Sequence, residues 1–364
     1  VISYRSFRNV DPPRLVKLWQ ECQLGRGAAD GLRPDAFEAV NFHKTYFDAK
    51  GLIFAFDEDS GEAIGFVHAG FGSREDGSAL DHSIGVICVI MVHPEYRRRG
   101  VGRELLNRAE SYLILKGATQ LRAGSAPPHD PYYMGLYGGT KPAGFLESDP
   151  ESKPFIEACG YEEHEQRNIY FRDSEKSSAP MNMKIMDLRR RMQLAVTDRL
   201  PDQSWRNTIR YGNLDYIRFL MQPKNGESPV AGVTIIGLDF YLAKWNRRVV
   251  GMTDVFVVDD HRQQAVGQTL LTEVCKRLKD ELITGAEAHV REVDEPGNKL
   301  LKAAGFYQVD TGFVFRRLVS EEEIATVKDA DEREHRIKAA ESSEPSISDT
   351  TMEMDAYNPD LIDE

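Results

Sequence analysis

Apolar positions along the first 173 residues switch between a period of two and a period near 3.6, and the switches mark a run of alternating element types. Residues 4–7 alternate as a short strand. Asp11-Pro12-Pro13 opens a helix whose Leu15, Val16, Leu18 and Trp19 form one apolar stripe. Residues 51–56 and 63–69 are strand-like, and the polar stretch 57–62 between them is a hairpin turn. A longer apolar run, 85–92, ends at His93-Pro94. Val101, Leu105, Leu106, Ala109, Tyr112 and Leu113 then fall at helical spacing, with Gly117 as the stop. A strand at 119–123, a short helix at 154–159 closed by Gly160-Tyr161, and a strand at 169–171 complete the order β–α–β–β–β–α–β–α–β.

Residues 174–182 are small and polar and read as a linker, after which much of the pattern returns. Residues 229–242 and 249–258 predict long strands. Val266, Leu270, Leu271, Val274, Cys275 and Leu278 repeat the helical stripe, Gly305-Phe306 answers Gly160-Tyr161, and 313–315 answers 169–171. The start of this half, 183–222, is rewritten and harder to read. The expected organisation is therefore a first α/β domain (1–173), a linker (174–182), a second, similar α/β domain (183–318) packed on the first, and a tail (319–364). A helix as far as about Ala340 fits the tail's start; beyond it, low hydrophobicity and negative charge predict disorder.

Each half carries one short pattern between its last long strand and the following helix. The first is Arg97-Arg98-Arg99-Gly100-Val101-Gly102 and the second is Arg262-Gln263-Gln264-Ala265-Val266-Gly267, their final glycines 165 residues apart. A glycine turn at a helix N-terminus presents amides that lack intrahelical partners, which suits a phosphate. Arg97, Arg98, Arg99 and Arg103 add charge-assisted donors. One such match is weak, but two in the same strand–turn–helix context are not chance.

The strand closed by Val92-His93-Pro94, followed by Arg97-x-x-Gly100-x-Gly102 opening a helix, resembles motif A of the GCN5-related N-acetyltransferase (GNAT) superfamily, here in a tandem two-domain form. The resemblance implies an α/β fold with a mixed sheet in each half. It implies acetyl-CoA as co-substrate, with pyrophosphate on residues 97–103 and the thioester beside Ile90, Met91 and Val92. It also implies direct acetyl transfer to an amine of a small molecule or peptide. Gly100 and three arginines favour the first copy as the principal site; Ala265 and two glutamines make the second weak or vestigial. Backbone amides near 90–92, freed by a bulge, are expected to stabilise the oxyanion.

Two departures bear on the chemistry. The family usually places a tyrosine, the acid for the leaving thiolate, four residues before the glycine that closes the last helix; this chain has Ile156 and Leu301 there. The first half also carries about 20 extra residues between its post-motif strand and its last helix: Gly102 to Gly160 spans 58 residues, against 38 from Gly267 to Gly305. The insertion includes residues 127–139, rich in tyrosine and glycine, and is an expected substrate wall or lid. Tyr133 and Tyr137 within it are the candidate acids, unless water serves. Asp81, His82, His93 and His129 are the base candidates. The alternatives are a non-catalytic acetyl-CoA sensor or scaffold and an enzyme using a longer acyl-CoA.

Composition narrows the partners. The net charge is −12, but residues 321–364 hold 15 acids and 4 bases, leaving the other 320 residues near neutrality. That body offers no basic surface for nucleic acid. Cys22, Cys88, Cys159 and Cys275 form no C-x-x-C pair and, like the histidines, lack metal-ligand spacing, so no metal is expected. The apolar run near Val86 is too short to span a bilayer. With no signal-peptide pattern at Val1-Ile2-Ser3-Tyr4-Arg5, these features predict a cytoplasmic protein.

Overall fold

A computed structural model describes residues 1–176, 183–202, 204–212 and 214–343. Most of the expected linker, 177–182, and the tail segment 344–364 lie outside the described residues. Residues 1–320 form one compact unit and Glu321 begins a second.

The first half runs β1 (Ile2–Ser6), α1 (Pro12–Glu21), α2 (Pro34–Phe37, continued by a π-helical turn Glu38–Phe42), β2 (Leu52–Asp57), β3 (Ala63–Ser73), β4 (Leu80–Val92), α3 (Val101–Leu115), β5 (Gln120–Ala123), β6 (Phe145–Leu146), α4 (Ser152–Ala158) and β7 (Glu162–Asp173). The second runs α5 (Met183–Arg191), β8 (Met192–Thr197), α6 (Trp205–Tyr211), β9 (Tyr216–Pro223), β10 (Ala231–Gly237), α7 (Leu242–Trp245), β11 (Val249–Val257), α8 (Val266–Asp280), β12 (Gly285–Arg291), α9 (Glu295–Ala303) and β13 (Tyr307–Leu318). The expected strand 229–242 stops at Gly237, because Leu238–Trp245 folds into a 3-10 turn and α7.

All the strands join one mixed sheet, in the order β1-β2-β3-β4-β5-β13-β7-β12-β11-β10-β9-β8, with β6 on β13. The halves exchange their last strands. β13 pairs with β5, Phe315 opposite Ala123, and β7 pairs with β12, Phe171 opposite Glu287. The cores follow the exchange. Phe313 and Phe315 pack with Leu105, Leu106 and Leu121 of the first half, whereas Tyr170 packs with Leu270, Leu271 and Val274 of the second. β7 and β13 also pair with each other along most of their length, so the sheet is continuous across the junction.

A third core lies on the opposite face of the first half, where Trp19, Phe37, Tyr132, Tyr133 and Tyr137 meet α1, α2 and the inserted loop. The second unit begins with helix α10 (Glu321–Ser343). Its first turn carries Glu321, Glu322 and Glu323, which complement the helix dipole, and Glu332–Arg336 pairs one turn apart at 3.3 Å. No helix among the described residues is long and apolar enough to cross a membrane.

Candidate functional site

The first turn is built to expose amides. Arg98 and Gly100 have φ of 61° and 84°, and Gly100 is the N-cap of α3 without a side-chain cap. Glu104 N–H is bonded back to Gly100 O at 3.0 Å. The N–H groups of Val101, Gly102 and Arg103 precede it in the first turn, where an α-helix supplies no acceptor. Nothing lies within 4 Å of where a Cβ on Gly100 would stand, so the turn opens outward.

The arginines divide their work. Arg97 Nε donates to Val92 O at 3.0 Å and Nη2 to Cys22 O at 3.4 Å, so this guanidinium braces the strand end against α1. Arg98 Nη2 meets Glu151 at 2.8 Å in an exposed pair, Arg99 lies over the Tyr96 ring at 5.3 Å, and Arg103 Nη2 donates to Ala158 O at 3.3 Å. Arg98, Arg99 and Arg103 are exposed, whereas Arg97 is half-buried.

The second turn has the same backbone. Gln263 and Ala265 have φ of 59° and 63°, and Arg262 Nε donates to Val257 O at 3.1 Å, matching the bond from Arg97. A left-handed alanine costs about 1 kcal/mol against glycine. The two copies therefore differ in charge and in one methyl group rather than in the shape of the chain.

Upstream, β4 parts from β5. The strands pair in parallel from Ile84–Gln120 to Ile87–Ala123, and among the described residues the β5-facing edge of residues 88–92 has no strand partner. On the other edge, His68 pairs with Val89 but Ala69 with Ile87, so Cys88 is the bulged residue. The bulge had been expected near 90–92. Its position sends Cys88 and Val89 together into the aromatic core, while Ile90 and Val92 pack partly buried against the core under α3. Met91 is buried on the aromatic side. Burial holds the Cys88 thiol up at about 12, so it is an unreactive core group.

Strand splay, bulge and amide-lined turn occur in chain order on one ridge. The model of the Acetyltransferase (GNAT) family matches residues 13–145 and again 184–306. The chain belongs to the GNAT family. Solved structures agree on the fold. A tandem GNAT protein from the clavulanic acid biosynthesis pathway superposes with a TM-score of 0.60 at 15% identity, over 87% of this chain and 98% of that one. A GCN5-related N-acetyltransferase from Sphaerobacter thermophilus gives 0.57 at 13%, over 87% and 95%. A GCN5-related glucosamine N-acetyltransferase region of a fungal multi-domain GH3 β-N-acetylglucosaminidase gives 0.62 at 16%, over 87% of this chain but only 38% of the fungal one. The GNAT fold implies acetyl-CoA as co-substrate.

The GNAT insertion is a packed wall. Tyr133 is 1% exposed and its hydroxyl lies 2.9 Å from His68 Nδ1; Tyr137 is 6% exposed and donates to Asp149 Oδ2 at 2.9 Å. Burial raises both phenols well above their ordinary value. Tyr133 stacks on Trp19 at 5.9 Å. The usual tyrosine position on α4 holds Ile156, fully buried under α3, and its counterpart Leu301 is buried under α8.

The base candidates are scattered. His93 Nδ1 accepts from Glu95 N at 3.3 Å as a turn cap, and the exposed His82 lies against Phe71. His129 sits between Arg122 at 3.0 Å and Asp81 at 3.7 Å, and burial, then Arg122, push its pKa down. Sequence reasoning passed over His68, opposite Val89 at the bulge. Burial lowers it to about 3, so it is neutral, and among the described residues its Nε2 has no hydrogen-bond partner. A histidine inside an apolar strand run gave no signal.

The wall is fixed from the second half. Glu287 of β12 is wholly buried and takes Arg26 Nη2 at 2.5 Å, Thr140 N at 2.9 Å, Thr140 Oγ1 at 3.2 Å and His289 Nε2 at 3.1 Å. Gly139 has φ of 79°, and a Cβ there would lie 1.8 Å from Glu287 Oε1, so only glycine fits this approach. Tyr241 of the β10–β11 connection accepts from Gly139 N at 2.9 Å and donates to Gly27 O at 2.8 Å.

Proposed function

We propose that the chain is an N-acetyltransferase that moves the acetyl group of acetyl-CoA, bound at the first-half turn, directly onto an amine of a small molecule or peptide in a ternary complex. One observation carries the reading: the open Gly100 turn, with its three amides at the head of α3, follows the strand segment 88–92 whose edge is unpaired. The turn would take the pyrophosphate, assisted by Arg98 and Arg99. The free edge of β4 would take the pantetheine arm and supply N–H groups to the carbonyl oxygen.

The amine attacks as the free base. Its nitrogen forms the new bond to the carbonyl carbon, the carbon–sulfur bond breaks, and CoA leaves as a thiolate that takes up a proton. Tyr133 and Tyr137 hold buried hydrogen bonds within the wall, and water serves as the proton donor in this reading. The four cysteines, none in a disulfide, support a reducing, cytoplasmic setting.

A second reading, an acetyl-CoA-binding sensor, is favoured by the buried aliphatics Ile156 and Leu301 where the family uses tyrosine. Calorimetry with acetyl-CoA on Gly102→Glu and Gly267→Glu, alongside CoA release with an amine panel, separates the cases. A Cβ on Gly102 would meet Phe155 at an ordinary 3.4 Å, so this variant is expected to fold and lose binding. Binding lost only in Gly267→Glu would move the site to the second half, and binding without turnover of any amine would establish the sensor.

A further inference from the structure

A second concavity opens where three distant segments meet: Lys44 and Tyr46 from the stretch before β2, Asp130 and Tyr132 from the insertion, and Trp205, Arg206 and Arg210 from α6. Its enclosed volume is only about 30 Å³, and the 430 Å³ between its atoms is mostly open mouth, so an occupant lies in the mouth against the rings. We propose that this cleft is the acceptor pocket and that it grips a carboxylate, so the amine acetylated here also carries an organic carboxylate on a flat apolar body. The proposal rests on the acetyltransferase reading above.

The charges argue for an anion. Three cations, Lys44, Arg206 and Arg210, gather around Asp130, and Asp254 is the further carboxylate acting on Arg210. Arg206 Nη2 is 3.2 Å from Asp130 Oδ1, and Arg210 Nη2 is 3.3 Å from Asp130 Oδ2. Arg210 is only 9% exposed; among the described residues its Nε has no hydrogen-bond partner, and its Nη2 has only the 3.3 Å ion pair with Asp130. These two atoms are one edge of the guanidinium, the side-on fork that matches two carboxylate oxygens. A buried donor without a partner beside a loosely paired one costs free energy that a bidentate anion recovers. Lys44 Nζ donates to Ile209 O at 2.6 Å and has further protons to give.

The walls argue for a flat body. Tyr46 lies between Trp205 at 5.8 Å and Tyr132 at 5.7 Å, and Tyr132 stacks on His68 at 4.1 Å. This row of rings leads from the cations to the strand position opposite Val89, beside the bulge. Each half alone supplies only part of the pocket, since both paired arginines belong to the second half and Asp130 to the first. That gives the second half a role independent of its own glycine turn.

The test uses the full chain saturated with acetyl-CoA, with benzoate, benzamide and inorganic phosphate as probes, read by tryptophan fluorescence and calorimetry. Benzoate is expected to bind and benzamide not; Arg210→Met and Lys44→Met should each weaken benzoate about tenfold. Trp205→Phe should remove the fluorescence response but not the calorimetric one. Amino carboxylates should then release CoA at least about tenfold faster than their amides in the wild type, and the gap should close in both variants. Arg206→Gln, less buried than Arg210, repeats the test should Arg210→Met unfold the chain by stranding Asp130. Benzoate that fails to bind, or binds the variants equally, overturns the proposal, as does a preference for phosphate. Loss of acetyl-CoA binding by the wild type would instead sink the acetyltransferase reading, so the two failures are distinct.

Discussion

Replacing Glu287 with glutamine tests the claim that the second half holds the insertion in place. Glu287 is wholly buried and collects Arg26, both donors of Thr140, and His289. Burial alone would push its carboxyl up, yet the His289 hydrogen bond and the Arg26 charge overcome this and hold it near 2, against 4.5 when free. A displacement of that size corresponds to roughly 3 kcal/mol in favour of the ionised fold, as an order of magnitude for a buried, coupled group. Glutamine keeps the shape and some hydrogen bonds but strands the Arg26 charge, so the expected loss is about 2–4 kcal/mol. In urea at neutral pH this would lower the unfolding midpoint by about 0.5–1 M. The sign in pH is fixed by the direction of the shift. A lowered carboxyl contributes fully above about 4.5 and loses its contribution as pH falls toward 2, so the wild-type and Glu287→Gln curves should converge across that window. A loss under about 1 kcal/mol, or a gap that persists to pH 2, would refute the reasoning.

Ala265→Gly should raise stability by up to about 1 kcal/mol by relieving a left-handed alanine, and Gly100→Ala should cost about as much; urea titration reads both. Tyr133→Phe should leave kcat within about threefold while costing about 1–2 kcal/mol of stability, because His68 loses its partner; a fall in kcat of about 100-fold with intact folding would make the phenol the acid. Arg97→Met should weaken acetyl-CoA chiefly by loosening the brace at Val92, with a lower melting temperature, whereas Arg98→Met should reduce affinity alone; calorimetry and melting curves separate them. Lys44 is lowered to about 8 by burial, against the pull of Asp130, so wild-type benzoate affinity should fall as pH rises through 8; in Lys44→Met that fall should vanish.

Most strands and helices of the first half and the two turns were legible because each rests on local physics, whereas α5, β8, α6 and β9 in the stretch 183–222 were not. Apolar period set the elements, His93-Pro94 closed β4, and a glycine before a helix marked the turn. Even the kinship of the turns at Gly100 and Ala265 was readable, and the backbone confirmed it. Two things were not local. The apolar segments 169–171 and 313–315 fit either half equally well, so their patterns could not say which core each would complete; tertiary packing sent Tyr170 to the second and Phe315 to the first. The buried polar groups were likewise silent. Glu287, His68 and Arg210 look like ordinary residues of strand or helix, and partners for each come from the insertion, Thr140, Tyr133 and Asp130, which no local pattern announces. Local sequence therefore determined the backbone of the two turns, and long-range packing decided what stands around them.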